Sequence, residues 1–303
     1  MGFFDRQIRK MEDLEEEEVK SKNLGKMTSD KAVEVIKELS GKQYKSGKKM
    51  VDNIILFTNA AGGAGASTIA SNVAFTAVTN GIRTLIIDLN IMCPVQHTYL
   101  GIDQQIDGKK DIVSFLVGEA ELHDCIDSTS KINLLFANNR TLSDEIRCNE
   151  KIPIDNFAHM IGHLRNYYDL VIIDCPMRVD TMLCNTAMHL CDAIYMVWEE
   201  GMGSIINTEK IRRNLALSGV DSYTKMRVIL NKRTDIGYNN SSLNQLNIEN
   251  VETIPFSVDI IDNSLRGRIF CDKGSATNKN SAEFARRIGS LTEKILKIGG
   301  YVK

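Results

Sequence analysis

The segment Thr58–Thr68, TNAAGGAGAST, combines glycines and hydroxyl residues at a spacing that suits phosphate binding. Gly62, Gly63 and Gly65 allow the backbone to turn sharply and to point several N–H groups toward one anion. The segment follows a predicted strand and opens a predicted helix, whose N-terminus also favours negative charge. The simpler alternative is a glycine-rich turn that binds nothing. We predict a phosphate site, in which Ser67 places its hydroxyl on a magnesium ion.

Two acidic residues stand where buried strands are predicted to end. Asp88 ends the apolar run of LIIDLN, and Asp174 ends that of YDLVIIDCP. Carboxylates at the carboxyl ends of central parallel strands lie beside a phosphate loop and hold Mg²⁺ directly or through water. Alone, either residue could simply cap the next element. Together with the loop, they predict a metal site formed by Ser67, Asp88 and Asp174.

From residue 51 onward, predicted strands alternate with predicted helices, and these elements position the candidate residues. The predicted strands are Asn53–Thr58, Thr84–Asp88, Ile132–Ala137, Leu170–Asp174, Ala193–Trp198 and Met226–Asn231. The predicted helices are Ser67–Asn80, Asp111–Val117, Ile154–Tyr167, Ile205–Ser218 and Ser281–Ile298. The last has one apolar stripe, which we expect to face the core, a membrane surface being the alternative: Phe284, Ile288, Leu291 and Ile295. Continuously apolar strands separated by helices indicate a parallel sheet with helices on both faces. We therefore predict one doubly wound, mostly parallel α/β domain of the P-loop NTPase type over residues 51–303.

Residues 1–50 have a different character. They contain an acidic run, Glu15–Glu18, a predicted short helix, Ser29–Leu39, and a basic linker. A charged tail in solvent is one interpretation, and a segment that docks on a membrane or a partner is another. Anionic lipid would repel the acidic run, which weakens the membrane version.

Composition narrows the class of protein. The 303 residues are 43% hydrophobic and 25% charged, which is ordinary for a globular domain. A formal charge of -2 gives no overall field that attracts nucleic acid, although the basic residues near the C-terminus leave DNA binding open beside a solvated surface. Seven cysteines without a CxxC pair indicate reduced, buried thiols. We expect a cytoplasmic protein, with peripheral membrane association left open.

Five segments, in order, give the chain its resemblance to a known family. They are the glycine loop, LIIDLN, YDLVIIDCP, VILNK (228–232) and TIPFSVDI (253–260). Over residues 53–298 the chain resembles the MinD/ParA ATPases, whose loop is a deviant Walker A motif. The run GGAGAST looks like that of the CpaE/TadZ branch, which is associated with positioning and assembly of Flp pili at the cytoplasmic membrane.

The resemblance implies a site for ATP or ADP with Mg²⁺. In the family, the asparagine of the VILNK segment contacts adenine and the loop of the TIPFSVDI segment flanks the base. The nucleotide-binding positions would be Gly62, Gly63, Ala64, Gly65, Ala66, Ser67, Thr68, Asn231 and Pro255. The metal positions would remain Ser67, Asp88 and Asp174.

Three positions depart from the family pattern. Ala61 replaces the signature lysine, Ala66 replaces the Walker A lysine, and Asn90 replaces an aspartate that orients or activates water. Alanine cannot stabilise charge on transferring phosphate, and an amide is no general base at neutral pH. We therefore expect hydrolysis to be very slow or absent. Lys232 is a candidate for a replacement cation.

These observations favour a nucleotide-binding positioning or scaffold factor for a pilus or secretion assembly at the cytoplasmic membrane. A homodimer linked by nucleotide is an expected partner, as are proteins of that machinery. The alternative is an active ParA-type ATPase that segregates DNA or another cargo. A third interpretation is a scaffold with an empty site.

Overall fold

A seven-stranded parallel sheet lies at the centre of the computed structural model, which describes residues 52–102, 110–138, 140–178, 181–234, 246–274 and 276–300. The strands are β1 (Ile54–Asn59), β2 (Thr84–Asp88), β3 (Asn133–Leu135), β4 (Leu170–Asp174), β5 (Ala193–Trp198), β6 (Met226–Arg233) and β7 (Asn250–Pro255). Their order is β3-β2-β4-β1-β5-β6-β7, and each neighbouring pair is parallel. The predicted tail, residues 1–50, lies outside the described residues.

Helices connect these strands. They are α1 (Ala66–Thr79), α2 (Gln96–Tyr99), α3 (Ile112–Leu116), α4 (Leu122–Cys125), α5 (Leu142–Arg147), α6 (Lys151–Tyr167), α7 (Met182–Leu190), α8 (Met202–Leu217), α9 (Ser222–Lys225), α10 (Val258–Leu265), α11 (Phe270–Lys273) and α12 (Lys279–Ile298). No helix in the described part of the chain is long and apolar enough to cross a membrane.

Both faces of the sheet are buried, because side chains of successive strand residues point to opposite faces. Leu56 of β1 joins the apolar cluster formed with α3, α6, α7 and α8. Phe57, the next residue, joins the cluster formed with α1 and α12. Helices on both faces of a parallel sheet confirm the predicted doubly wound α/β fold.

The first and last long helices follow the sequence closely. Helix α1 was predicted from Ser67 to Asn80 and runs one residue earlier at each end, with Gly81 at φ 82° just after it. In α12 the predicted apolar stripe is buried against the sheet. A capping box between Asn278 and Ser281 starts that helix two residues before the predicted position. The core-facing interpretation of the stripe is therefore confirmed.

The sequence prediction was wrong for residues 253–260, which we expected to form a loop. Strand β7 continues to Pro255, and α10 begins at Val258. The strand carries polar residues because it lies at the edge of the sheet, and buried Glu252 is neutralised there by Arg287 and Lys294 of α12. Edge position and cross-element ion pairs leave no signal in hydrophobic periodicity.

Topology brings several candidate residues to one edge of the sheet. Strand β1 lies between β4 and β5, and β4 separates it from β2. The ends of β1, β2 and β4 carry the glycine loop, Asp88 and Asp174, respectively. Ligands of open parallel sheets bind outside the carboxyl ends of the strands, where connections diverge to the two sides.

Candidate functional site

The glycine loop joins β1 to the N-terminus of α1. Gly63 has φ 80° and Gly65 has φ 100°, a conformation that side-chain-bearing residues rarely adopt. The Asn59 amide oxygen accepts a hydrogen bond from the Ala66 backbone amide at 2.9 Å, which ties the start of the helix to the end of the strand. Gly62 and Gly63 are exposed, so the turn is open to solvent. The backbone N–H groups of such a turn, at the N-terminus of a helix, can bind an anion.

Asp88 and Asp174 lie side by side, in register across the β2–β4 pair. Both are buried, with exposed fractions of 0% and 4%. The Asp88 carboxylate accepts hydrogen bonds from the backbone amides of Asn90, Val95 and Gln96, at 2.8 to 3.0 Å. These bonds fold the segment after β2 back over the strand end, which closes one side of the site.

Sequence reasoning missed Gln96. Its amide nitrogen donates to Asp174 Oδ2 at 2.6 Å and to the Ser67 carbonyl oxygen at 3.0 Å. Its amide oxygen is buried and accepts no hydrogen bond from the described residues. Gln96 therefore connects the helix that follows the loop to a carboxylate of the predicted metal site. Nothing in its residue type or spacing marks it, because the turn after Asp88 delivers it.

Electrostatics of the carboxylate pair favour a cation. Burial and the neighbouring Asp174 raise the pKa of Asp88 to about 7. The pKa of Asp174 is also raised by burial, and hydrogen bonds from Gln96 and Ser67 offset only part of that rise. Two buried carboxylates this close resist simultaneous ionisation unless a cation neutralises them. A proton on Asp88 would relieve this repulsion, and so would a cation bound between the two carboxylates.

Oxygen donors of the site fit Mg²⁺. Ser67 hydrogen-bonds to Asp174, Asp88 lies beside it, and the unpartnered oxygen of Gln96 adds a fourth potential ligand. No group of three or more His, Cys, Asp or Glu side chains in the described residues could hold a metal. Mg²⁺ commonly binds through one or two carboxylates together with substrate phosphates and water. Binding at Ser67, Asp88 and Asp174 would thus depend on a phosphorylated ligand.

The structure brings Asn231 to the loop. Its amide nitrogen donates to the Ala64 carbonyl oxygen at 2.8 Å, and its side chain is buried. A Cβ atom at Gly65 would lie 2.6 Å from that nitrogen, so glycine is required there for space as well as for φ. Pro255 ends β7, where it is in register with Arg233 of β6. Asn231 and Pro255 therefore lie near the carboxyl ends of two neighbouring strands.

The three positions that depart from the family pattern carry uncharged side chains. Ala66 is completely buried, and Ala61 is half-buried on the loop. Asn90 lies two residues after Asp88 and gives it a backbone hydrogen bond. Lys232 does reach the loop, since its ammonium donates to the Gly63 carbonyl oxygen at 2.7 Å and lies 3.4 Å from Glu199 Oε2.

Known proteins resemble this chain in sequence and in fold. The tyrosine-protein kinase CpsD of Streptococcus pneumoniae is 28% identical over 209 residues, covering 69% of this chain and 87% of CpsD. The septum site-determining protein MinD of Thermotoga maritima is 23% identical over 244 residues, covering 78% and 88%. The structure of MinD from Pyrococcus horikoshii, complexed with Mg-ADP, superposes with a TM-score of 0.67 at 21% identity, covering 82% of this chain and 97% of that one.

The fold is thus that of the MinD/ParA P-loop NTPases. A family model described as an AAA domain, AAA_31, matches residues 52–216, which include the glycine loop and both aspartates. That match spans more than half of the 303 residues. The chain belongs to the AAA domain family AAA_31.

Proposed function

We propose that this protein binds ATP or ADP together with Mg²⁺ at the glycine loop. The observation that carries the proposal is the in-register pair Asp88 and Asp174 beside the loop, because a bound cation allows two buried, neighbouring carboxylates to be ionised together. The N-terminus of α1 supplies amides for the phosphates. The MinD structure with Mg-ADP supports the same ligand in a protein of this fold. Bound Mg²⁺ would neutralise charge between the carboxylates and the phosphates.

Turnover is expected to be very slow or absent. Ala61 and Ala66 provide no cation from the loop, and Asn90 provides no base for water. Losing one group that stabilises a developing charge costs roughly 100- to 1000-fold in rate. Nucleotide would then act as a ligand that sets the conformation or the partners of the protein.

The cellular role that we propose is a positioning or scaffold factor for a pilus or secretion assembly at the cytoplasmic membrane. Support comes from the loop GGAGAST, which resembles that of the CpaE/TadZ branch, and from the named relative MinD, a septum site-determining protein. A homodimer linked by nucleotide, proteins of such a machine and a peripheral membrane contact are the proposed partners.

An active ParA-type ATPase is the second candidate. One observation favours it: Lys232 brings a positive charge to the loop that Ala61 and Ala66 leave neutral. The sporulation initiation inhibitor protein Soj of Bacillus subtilis is a further relative, 25% identical over 199 residues that cover 61% of this chain and 75% of Soj. Such an enzyme would hydrolyse ATP at a measurable rate, and DNA binding would weaken steeply with added salt.

Calorimetry of the full chain tests the first proposal. We expect ATP to bind with Mg²⁺ and to bind more weakly in chelator, while Ser67→Ala and Asp174→Asn lose the magnesium effect. Adenosine serves as the ligand control. Absence of binding at millimolar ATP would contradict the proposal. Phosphate release from ATP in the same preparation separates the two candidates, and phosphate retained on the protein would instead point to a kinase such as CpsD.

A further inference from the structure

Lys232 contacts the glycine loop from a strand on the opposite side of β5. Its ammonium donates to the Gly63 carbonyl oxygen at 2.7 Å and lies 3.4 Å from Glu199 Oε2. Its side chain is 31% exposed, so the ammonium remains accessible to a ligand in solution. Of the hydrogen bonds and ion pairs among the described residues, this is the contact that brings a basic side chain to residues 60–66.

An irregularity in β6 directs the side chain of Lys232 toward the glycine loop. In a regular strand, Asn231 and Lys232 would point to opposite faces of the sheet. The β6–β7 register shifts between Leu230 and Arg233, and Lys232 has φ 55°, which is uncommon for a residue with a side chain. The two side chains instead reach adjacent carbonyls of one loop, Ala64 and Gly63. Bulges that redirect a side chain are frequent beside functional sites.

The charges around the loop favour a basic residue at this position. The loop itself contains no ionisable side chain, and the nearest buried groups, Asp88 and Asp174, are acidic. A diphosphate or triphosphate would add several negative charges to a region that already has two carboxylates. An ammonium has three donors and here makes two contacts, so one donor can turn to a phosphate oxygen.

We infer that Lys232 is the phosphate-binding cation of this site and that it takes the terminal phosphates of a nucleoside diphosphate or triphosphate. On binding, the ammonium would direct its remaining donor to a phosphate oxygen. The inference rests on the proposed function, because it needs nucleotide to occupy the loop. It extends that function by assigning the positive charge that contacts the phosphates to a residue of β6, since the loop itself has no basic side chain.

The test compares Lys232→Gln with Lys210→Gln by calorimetry against ATP, ADP and adenosine. Lys210 is exposed on α8, so its substitution removes the same charge without touching the loop. We expect Lys232→Gln to weaken ATP binding on the order of 10- to 100-fold, as for loss of a charge-assisted hydrogen bond, and Lys210→Gln to leave it unchanged. Adenosine binding should be the same in all three proteins. Lys232→Arg, which keeps the charge, should recover part of the ATP affinity.

Outcomes of this test separate the two proposals. Wild-type protein that binds no nucleotide contradicts the proposed function. Wild-type protein that binds ATP as tightly as Lys232→Gln overturns the inference and leaves the proposed function standing. Equal losses for ATP and adenosine would also overturn it, because they would indicate a distorted loop and no lost phosphate contact. Unfolding midpoints of the variants, measured without ligand, identify a variant that fails to fold, and Lys232→Met then replaces it.

Discussion

At the scale of single residues, the Asp88 carboxyl beside Asp174 makes the stability of the fold depend on pH. Burial and Asp174 raise the pKa of Asp88 to about 7, from 3.8 in an unstructured chain. Between about pH 4 and pH 7 the folded protein therefore holds a proton that the unfolded chain has released. This proton stabilises the fold at low pH, and the contribution is lost as pH rises through the folded-state pKa.

We expect the wild type to lose stability relative to Asp88→Asn as pH rises from about 4 to about 7 in the presence of chelator. The variant is neutral at this position throughout, so the difference between the two pH profiles isolates the carboxyl from other titrating groups. Urea unfolding at several pH values measures it. Parallel profiles, separated only by the constant cost of the hydrogen bonds that the variant loses, would contradict the prediction.

The types of the main site residues were readable from the sequence, while their contacts were not. Gly65, Asp88 and Asp174 follow from a glycine loop and from acidic ends of apolar runs. Gln96 is brought to Asp174 by backbone hydrogen bonds to Asp88, which depend on the path of the segment after β2. Such a path is set by tertiary packing and leaves no periodic pattern.

At the scale of elements, the junction of β1 and α1 depends on one glycine more than on its neighbours. Gly65 has φ 100°, and an added Cβ atom would lie 2.6 Å from the Asn231 amide nitrogen. At Gly62 an added Cβ atom meets nothing within 4 Å, and φ is not in the left-handed region. The two glycines therefore look equivalent in sequence and differ in structure.

We expect Gly65→Ala to lower the free energy of unfolding by about 1–3 kcal/mol, because alanine is strained at that φ and displaces Asn231. Gly62→Ala is the matched control and should change it by less than about 0.5 kcal/mol. Denaturant titration of both variants measures the difference. Equal losses in the two variants would show that space and φ at Gly65 do not limit the loop.

Buried strands were predictable to within a residue or two because their apolar runs are continuous, as in β4 and β5. The edge strand β7 was taken for a loop because Glu252 interrupts its apolar residues. Short helices such as α7 and α10 were missed for a related reason. They are short, so packing against longer elements decides their conformation more than their own pattern does.

At the scale of the whole molecule, exposure of the loop within the described residues bears on self-association. Gly62 and Gly63 are exposed and Ala61 is half-buried, so a second copy could approach the bound phosphates from this side. The resemblance to the MinD/ParA ATPases implies that the signature lysine, which Ala61 replaces, reaches across such a dimer. Alanine makes no such contact, so the proposed homodimer would be held by other groups and would be weak.

Restoring the cation should therefore strengthen association. In a twofold dimer each substitution acts twice. Two charge-assisted contacts, each contributing about 1.5–3 kcal/mol, would lower the protein concentration for dimerisation by about 100-fold or more. We expect Ala61→Lys with Mg-ATP to sediment as a dimer where the wild type is largely monomeric. Leu217→Lys adds the same charge at the far end of α8, where the side chain is 82% exposed, and should behave as the wild type. Dimerisation of Ala61→Lys without nucleotide, or none with it, would contradict a phosphate contact across the interface.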